Sequence, residues 1–250
     1  MQGKEMHMEQ KGYLDFHTHI LPETDDGAKN MEVTKTMLRM SYQQGVRTML
    51  ATPHSYPGGP PQDNERIREL CRKVNEEAQC IDSEFHILPG NEIFYRDTIL
   101  SELEAGRILT LADSRYLLIE FSPGERYHRI NDAIRQLIHE EYYPVIAHVE
   151  KVGCLMEEPK IIKELVEMGG YMQANCEDFL GGFFNRPSKV LRTLMEQNLI
   201  HFLGSDCHNE SIRPPIMEDC IMQLRKKISY QNLNKVIYEN PTKFLQKKYL

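Results

Sequence analysis

Short runs of apolar residues alternate along this chain with longer stretches in which apolar residues recur every three or four positions. The short runs are typical of strands buried on both faces, and the longer stretches are typical of amphipathic helices that cover a sheet. The pattern predicts seven strands, at residues 13–17, 46–52, 86–91, 116–121, 144–148, 171–175 and 200–205. It predicts helices between and after them, at residues 31–44, 63–79, 132–140, 160–168, 187–197, 217–227 and 231–238.

Strands that alternate with helices predict an α/β fold with a parallel sheet. Seven such units in 250 residues, with no clear eighth strand, indicate a distorted (β/α)7 barrel of the TIM-like type. Residues 1–12 are polar and are expected to form a flexible N-terminal tail. No linker or internal repeat divides the remainder, so residues 13–250 are expected to form a single domain.

Composition and charge narrow the function classes. The formal net charge of −7 argues against general binding of nucleic acid, which usually requires a basic surface. No apolar run reaches the roughly 18 residues of a membrane span, and the polar start lacks the apolar core of a signal peptide. We therefore expect a cytoplasmic protein that does not insert into a membrane, with its six cysteines as free thiols.

Imidazole and carboxylate side chains follow six of the seven predicted strands. The carboxyl ends of parallel barrel strands share one rim, and residues two apart on a strand share a face. Such N and O donors suit Zn²⁺, Mn²⁺ or Fe²⁺. Their number suits two or three ions that share a bridging carboxylate. The candidate ligands are His17, His19, Asp26, His54, Glu92, Glu120, His148, Asp206 and His208.

The other five histidines are interpreted as ordinary polar residues, because a lone histidine is usually a hydrogen-bonded polar residue rather than a ligand. They are His7, His86, His128, His139 and His201. A second pattern also has a non-catalytic interpretation. Cys207 and Arg213 match the C-x₅-R signature of cysteine-dependent tyrosine phosphatases. The segment between them contains no glycine, and the carboxylate of Glu210 would repel phosphate. We therefore expect no catalytic role for Cys207.

The order of these motifs resembles that of the PHP (polymerase and histidinol phosphatase) superfamily. It is most similar to the manganese-dependent protein-tyrosine phosphatases of Gram-positive capsule and exopolysaccharide operons. The similarity extends over about residues 13–245, and the full ordered set is far more specific than any one motif. The motifs are HTH at 17–19, DDG at 25–27, TPH at 52–54, GNE at 90–92, IEF at 119–121, IAH at 146–148 and SDCH at 205–208.

The resemblance implies a PHP-type barrel with a trinuclear centre, most commonly of Mn²⁺, although Fe²⁺, Zn²⁺ or Mg²⁺ would also fit. It implies that Glu92 bridges two ions and is catalytically essential. The implied ligand sets are His17, His19, Glu92 and Asp206 for the first ion, Glu92, Glu120 and His148 for the second, and Asp26, His54 and His208 for the third.

The resemblance further implies that Arg213 holds the phosphoryl group of the substrate. Lys151 stands where the family usually has an arginine, so it keeps the positive charge but not the two-pronged donor. The implied activity is hydrolysis of phosphotyrosine by metal-bound hydroxide, without a phosphoenzyme. The implied substrate is a bacterial tyrosine autokinase of capsule or exopolysaccharide synthesis.

Three alternatives remain open from the sequence. The chain could dephosphorylate a small molecule such as histidinol phosphate, which the same superfamily does. It could be a metal-dependent hydrolase of the amidohydrolase or nuclease type, since those also begin with H-x-H, although the acidic charge disfavours a nuclease. It could also be a non-catalytic metal-binding regulator.

Overall fold

All the paired strands in the described part of this protein run parallel to one another. The computed structural model describes residues 12–57, 64–181 and 186–250. Within these residues there are nine strand segments: β1 (Tyr13–Thr18), β2 (Val46–Ala51), β3 (His54–Ser55), β4 (His86–Pro89), β5 (Glu92–Phe94), β6 (Tyr116–Glu120), β7 (Tyr143–Ile146), β8 (Tyr171–Asn175) and β9 (Phe202–Gly204).

Helices follow the strands and cover the outside of the sheet. They are α1 (Met31–Gln43), α2 (Asn64–Gln79), α3 (Ile99–Glu104), α4 (Tyr127–His139), α5 (Gly153–Glu157), α6 (Lys160–Met168), α7 (Cys176–Phe179), α8 (Arg186–Glu196), α9 (Glu218–Leu224), α10 (Tyr230–Asn234) and α11 (Asn240–Leu245). Two 3₁₀ turns (Leu111–Asp113 and Val149–Lys151) and a π-helical turn (Lys235–Glu239) complete the set. None of the described helices is long and apolar enough to cross a membrane.

The seven predicted strand positions all contain strands, but two of them continue into a second segment that the sequence pattern missed. The segments pair in the orders β1-β2-β4 and β3-β5-β6-β7-β8-β9. Pro53 separates β2 from β3, and Pro89 ends β4 before β5 begins. The strand predicted at 86–91 is present but ends at Pro89, because proline cannot donate to the ladder and interrupts strand pairing.

The ring closes between the first and last strands. Thr18 forms a parallel bridge with Cys207 just beyond β9. The backbone N–H of Asp206 donates to the carbonyl of His17 (2.8 Å), and that of His19 donates to the carbonyl of Cys207 (2.9 Å). The chain thus forms the distorted (β/α)7 barrel that the sequence predicted.

Inward-facing positions change from apolar to polar along β6 and β8. On β8, Tyr171 belongs to the interior cluster of apolar side chains, whereas Gln173 and Asn175, farther along the same face, lie among the candidate ligands. On β6, Tyr116 and Leu118 occupy the interior, and Glu120 follows them on the same face. The amino-terminal half of the barrel is therefore a packed core, and its carboxyl-terminal half is a polar cavity.

The C-terminal segment, rather than an eighth strand, covers the apolar end of the barrel. Phe244 on α11 packs edge-on against Phe16 of β1 (5.0 Å between ring centroids). The hydroxyl of Tyr116 donates to the carbonyl of Lys248 (2.7 Å), and the N–H of Leu250 donates to the hydroxyl of Tyr171 (3.3 Å). The last helix that the pattern predicted, at 231–238, lies within one helical segment in which the π-helical turn Lys235–Glu239 joins α10 to α11.

We predict that Gly204→Ala destabilises the fold. A Cβ at this inward position would lie 2.6 Å from the Cβ of His17 and 3.0 Å from Nε2 of Gln173, so β9 would have to move away from β1. The expected loss is about 1–3 kcal/mol in the free energy of unfolding, measured by urea denaturation. Gly124→Ala is the matched control, because a Cβ there meets nothing within 4 Å. Equal midpoints for the two variants would contradict the close approach of β1 and β9.

Candidate metal centre

The carboxylate of Glu92, at the start of β5, lies at the centre of the polar cavity and is 1% exposed. Its Oε2 atom is 2.9 Å from Nδ1 of His54, 3.1 Å from Nε2 of His17 and 3.3 Å from Nε2 of His19. Its Oε1 atom is 2.8 Å from Nε2 of His148. Four imidazole rings from three strand ends, β1, β3 and β7, therefore surround one buried carboxylate.

A second group of donor atoms lies on the solvent side of His19. Oδ1 of Asp26 is 3.4 Å from Nε2 of His54 and 3.4 Å from Nε2 of His208. One donor atom from each of His19, Asp26, His54 and His208 lies within 4.8 Å of the others. The side chain of Asp26 is 65% exposed, so this group opens towards the mouth of the cavity.

Two further groups of donor atoms share Glu92. His17, His19 and Glu92 form one, and His54, Glu92 and Glu120 form the other. Oε1 of Glu120 is also 3.8 Å from Nε2 of His148. The family resemblance implied that His148 joins Glu92 and Glu120, and His148 lies beside both carboxylates. His54 also approaches these two carboxylates through Nδ1, while its Nε2 faces Asp26. His54 thus stands between two of the expected ion positions.

The two carboxylate oxygens of Asp206 have different partners. Its Oδ1 faces the histidines, at 3.4 Å from Nε2 of His19 and 3.7 Å from Nε2 of His17. Its Oδ2 accepts hydrogen bonds from Arg213 (2.8 Å), Lys151 (3.0 Å) and the side-chain amide of Asn175 (2.9 Å). The side chains of Lys151 and Arg213 are 44% and 38% exposed, so both cations border the mouth of the cavity.

Hydrogen bonds at Nδ1 orient several of the imidazoles. Nδ1 of His19 is 2.7 Å from the buried carboxylate of Asp25, and Nδ1 of His17 is 3.3 Å from Oε1 of Gln173. Nδ1 of His208 is 2.9 Å from the carbonyl of Asp206. With the proton held at Nδ1, the lone pair of each Nε2 points into the cavity. Metal-binding histidines are commonly fixed in this way.

Some buried atoms of the cluster have no hydrogen-bond partner. They include Oε2 of Glu120 and Nε2 of His208. Burial of an unsatisfied polar atom is costly, and a cation coordinated by these atoms would satisfy them. Imidazole nitrogen and carboxylate oxygen are suitable donors for Mn²⁺, Fe²⁺ or Zn²⁺, so the residues present fit the metal ions that the sequence predicted.

Charge complementarity holds the cluster together electrostatically. Burial raises the pKa of Glu92, but the imidazoles of His17 and His148 oppose this effect and keep its pKa well below the usual range. The neighbouring carboxylates likewise overcome the effect of burial on His19 and hold its pKa well above the usual value. Glu92 and the ring of His19 therefore stabilise opposite charges on each other, and a cation bound at these atoms would displace the proton of that ring.

Two residues of the centre adopt left-handed backbone conformations, which residues other than glycine rarely adopt. His148 has φ 28° and Asp206 has φ 53°. Each follows the end of a strand, β7 for His148 and β9 for Asp206, and the unusual φ redirects the side chain towards the cavity. Left-handed backbone at non-glycine residues is unfavourable and concentrates at functional sites.

Sequence reasoning missed three residues that support the centre. Asp25 enters the sequence analysis only within the DDG motif, yet it contacts the ring of His19 and accepts a hydrogen bond from the backbone N–H of His54 (3.0 Å). Gln173 and Asn175 were also missed. Polar residues at alternating positions of an otherwise buried strand were the available signal for both amides.

The interpretation of the other histidines is supported where they are described. His201 is buried and its Nδ1 accepts a hydrogen bond from the backbone N–H of Met172 (3.1 Å). Burial lowers the pKa of His201 to about 4. His128 and His139 are exposed on α4, and His86 lies at the start of β4, away from the centre. His7 lies outside the described residues.

Cys207 is fully buried and belongs to the apolar layer between the sheet and the helices. Burial raises the pKa of its thiol far above the usual value, which disfavours the thiolate needed for nucleophilic attack. The remaining cysteines are also free thiols, as the sequence predicted. Although Cys207 and Arg213 match the C-x₅-R spacing, Cys207 is therefore not positioned as the nucleophile of a cysteine-dependent phosphatase.

Relatives of the chain are known. The family described as "Capsular polysaccharide synthesis, CpsB/CapC" matches residues 13–246. The tyrosine-protein phosphatase CpsB of Streptococcus pneumoniae is 35% identical over 93% of this chain and 98% of its own. The tyrosine-protein phosphatase YwqE of Bacillus subtilis is 34% identical over 86% of this chain and 84% of its own.

Solved structures agree with these sequence matches. One solved structure comes from the study of YwqE of Bacillus subtilis and CpsB of Streptococcus pneumoniae, which are described as metal-dependent tyrosine phosphatases. It superposes on this chain with a TM-score of 0.85 at 32% identity, and the match covers 94% of this chain and 95% of the solved chain. The phosphotriesterase homology protein of Escherichia coli superposes with a TM-score of 0.63 at 12% identity, covering 96% of this chain and 100% of its own. The latter likeness concerns the barrel fold alone.

The similarity covers the whole barrel and every motif that carried the predicted resemblance to PHP-type phosphatases, which is thereby confirmed. The chain belongs to the CpsB/CapC family of capsular polysaccharide synthesis proteins.

Proposed function

We propose that this protein is a metal-dependent protein-tyrosine phosphatase that hydrolyses phosphotyrosine in protein substrates. The observation that carries the proposal is the convergence of four imidazoles on the buried carboxylate of Glu92, beside the exposed cations Lys151 and Arg213. The membership of the chain in a family whose relatives are named tyrosine-protein phosphatases supports it.

We further propose that the centre holds two or three divalent ions, with Mn²⁺ the best candidate. Glu92 would bridge two ions, because each of its oxygens faces a different set of imidazoles. The absence of thiolate from the three donor groups found among the described residues favours Mn²⁺, Fe²⁺ or Mg²⁺ over a structural zinc site. The proposed ligands are His17, His19, Asp26, His54, Glu92, Glu120, His148, Asp206 and His208.

Phosphate monoesters react with water extremely slowly, so an enzyme must supply both a strong nucleophile and charge neutralisation. Divalent ions, when bound, would activate water and neutralise phosphoryl oxygens. Lys151 and Arg213 would turn from Asp206 towards the phosphoryl group and hold its outer oxygens. Burial lowers the pKa of Lys151, but the contact with Asp206 raises it above its usual value, so the side chain is charged while it pairs with Asp206. The tyrosine leaving group, with a pKa near 10, needs little protonation.

The physiological substrate is part of the proposal. The family description connects the chain with capsular polysaccharide synthesis. We propose that the substrate is the phosphotyrosine form of a bacterial tyrosine kinase in that process, and that the reaction takes place in the cytoplasm, where ATP-dependent kinases act. The net charge of −7 disfavours a nucleic-acid substrate.

We predict that activity depends on metal ions and selects phosphotyrosine. Protein stripped with a chelator should not hydrolyse a phosphotyrosine peptide, and added Mn²⁺ should restore turnover. The same preparation should be assayed with histidinol phosphate and single-stranded DNA at equal concentration. Full turnover by rigorously metal-free protein would contradict the metal centre. Faster turnover of histidinol phosphate or DNA than of the peptide would contradict the assigned substrate class.

We predict that Arg213→Ala lowers kcat/KM for a phosphotyrosine peptide by about tenfold or more, because a charge-assisted contact to the phosphoryl group is lost. Metal content should not change, since Arg213 contacts Asp206 through the oxygen that faces away from the histidines. Lys151→Arg preserves the charge and should leave kcat/KM equal to or above that of the wild type. Loss of metal from Arg213→Ala, or a large loss of turnover in Lys151→Arg, would overturn these roles.

A further inference from the structure

Two aromatic side chains stand directly beyond the metal-type ligands on neighbouring strands. β3 and β5 pair in parallel with His54 opposite Glu92. Tyr56 and Phe94 each follow two residues later, so both rings project from the same side of their strands as His54 and Glu92. Their ring centroids are 5.7 Å apart. The pairing of the strands thus places Tyr56 and Phe94 side by side, each two residues beyond a candidate ligand of the proposed centre.

Tyr56 also contacts the centre itself. Its ring stacks on the imidazole of His54, with centroids 4.6 Å apart and planes inclined by 29°, and its hydroxyl is 3.3 Å from Nε2 of His54. The residue is nevertheless 49% exposed, which is unusual for a large aromatic side chain. One face of this ring therefore packs against the ligand cluster while much of the rest borders the open mouth.

The cations that border the mouth come from a different part of the barrel. Lys151 and Arg213 follow β7 and β9, whereas Tyr56 and Phe94 follow β3 and β5. A phosphate monoester bound at the proposed metal centre would thus meet positive charge from one group of strand ends and aromatic surface from another. Only a substrate with an apolar group next to its phosphate would gain from the second contact.

We propose that Tyr56 and Phe94 form a platform that packs against the aromatic ring of the substrate and so selects aryl over alkyl phosphate monoesters. This inference rests on the proposed function and extends it to the specificity of the same site. Packing of one aromatic ring on another gains energy from buried apolar area and from ring geometry, and an alkyl phosphate such as phosphoserine would gain little of it. Aromatic side chains also have few rotatable bonds, so the platform would lose little conformational entropy when it packs against the substrate ring.

The test compares two phosphonates that differ only in the ring. Binding of phenylphosphonate and of methylphosphonate to Mn²⁺-loaded protein is measured by calorimetry, so neither ligand is turned over. The wild type should bind phenylphosphonate more tightly. Tyr56→Ala should weaken phenylphosphonate binding by about tenfold and change methylphosphonate binding by less than about twofold. Phe94→Leu, which keeps apolar volume, should weaken phenylphosphonate binding by a smaller factor.

Two control variants separate ring packing from other effects. Tyr56→Phe keeps the ring and should preserve the preference for phenylphosphonate, even though it loses the hydroxyl contact to His54. Tyr230→Ala removes a tyrosine that is 85% exposed and remote from the centre, and it should leave both affinities unchanged. Metal content and melting temperature are measured for each variant, so that loss of ions or of folding is distinguished from loss of the platform.

Phosphonate binding tests the platform whether or not the protein hydrolyses phosphotyrosine. Equal binding of the two phosphonates by the wild type, or an equal loss of both in Tyr56→Ala with metal content intact, would overturn the platform even if the protein hydrolyses phosphotyrosine. Conversely, a selective loss of phenylphosphonate in Tyr56→Ala would support the platform even if phosphotyrosine peptides were not turned over. Loss of the preference in Tyr56→Phe would also overturn it, because the hydroxyl and not the ring would then be responsible.

Discussion

The pairing of a buried carboxylate with several imidazoles is the interaction on which the rest of this structure depends. Glu92 is almost completely buried, and an isolated carboxylate in that position would be very unfavourable. Four rings compensate for it, and Asp25 and Gln173 hold two of those rings, His19 and His17, in place. The polar centre therefore requires a rigid frame that brings all of these groups together.

The barrel supplies this frame through the alternation of side chains along its strands. The same inward faces carry aromatic and aliphatic residues towards one end and polar residues towards the other, as on β8, where Tyr171 is followed by Gln173 and Asn175. The apolar half fixes the strands by close packing, as Phe16 stacks on Phe202 with centroids 3.9 Å apart. The polar half can then hold unpaired and like-charged groups that would be unfavourable elsewhere, at the end of the barrel where active sites occur.

Much of this could be predicted from the sequence, and the parts that could not have physical reasons. Strand positions and the candidate ligands follow from local patterns, because strand ends converge in any parallel barrel. The splitting of two strands depends on how Pro53 and Pro89 interrupt pairing with neighbours, which a single-strand pattern does not reveal. The choice between Asp25 and Asp26 as the partner of His19 depends on the path of one loop. Adjacent carboxylates in a sequence do not show which of them turns inwards.

The metal content of Glu92→Gln tests the central claim most directly. Glutamine keeps the shape of the side chain but removes the negative charge and one anionic donor that two ion positions would share. Wild-type protein, Glu92→Gln and the exposed control Glu69→Gln are loaded with Mn²⁺ in parallel, and bound manganese per chain is measured after removal of free metal. We expect Glu92→Gln to lose about one ion or more while Glu69→Gln matches the wild type. Manganese stoichiometry that is unchanged in a folded Glu92→Gln protein would contradict the central role of this carboxylate.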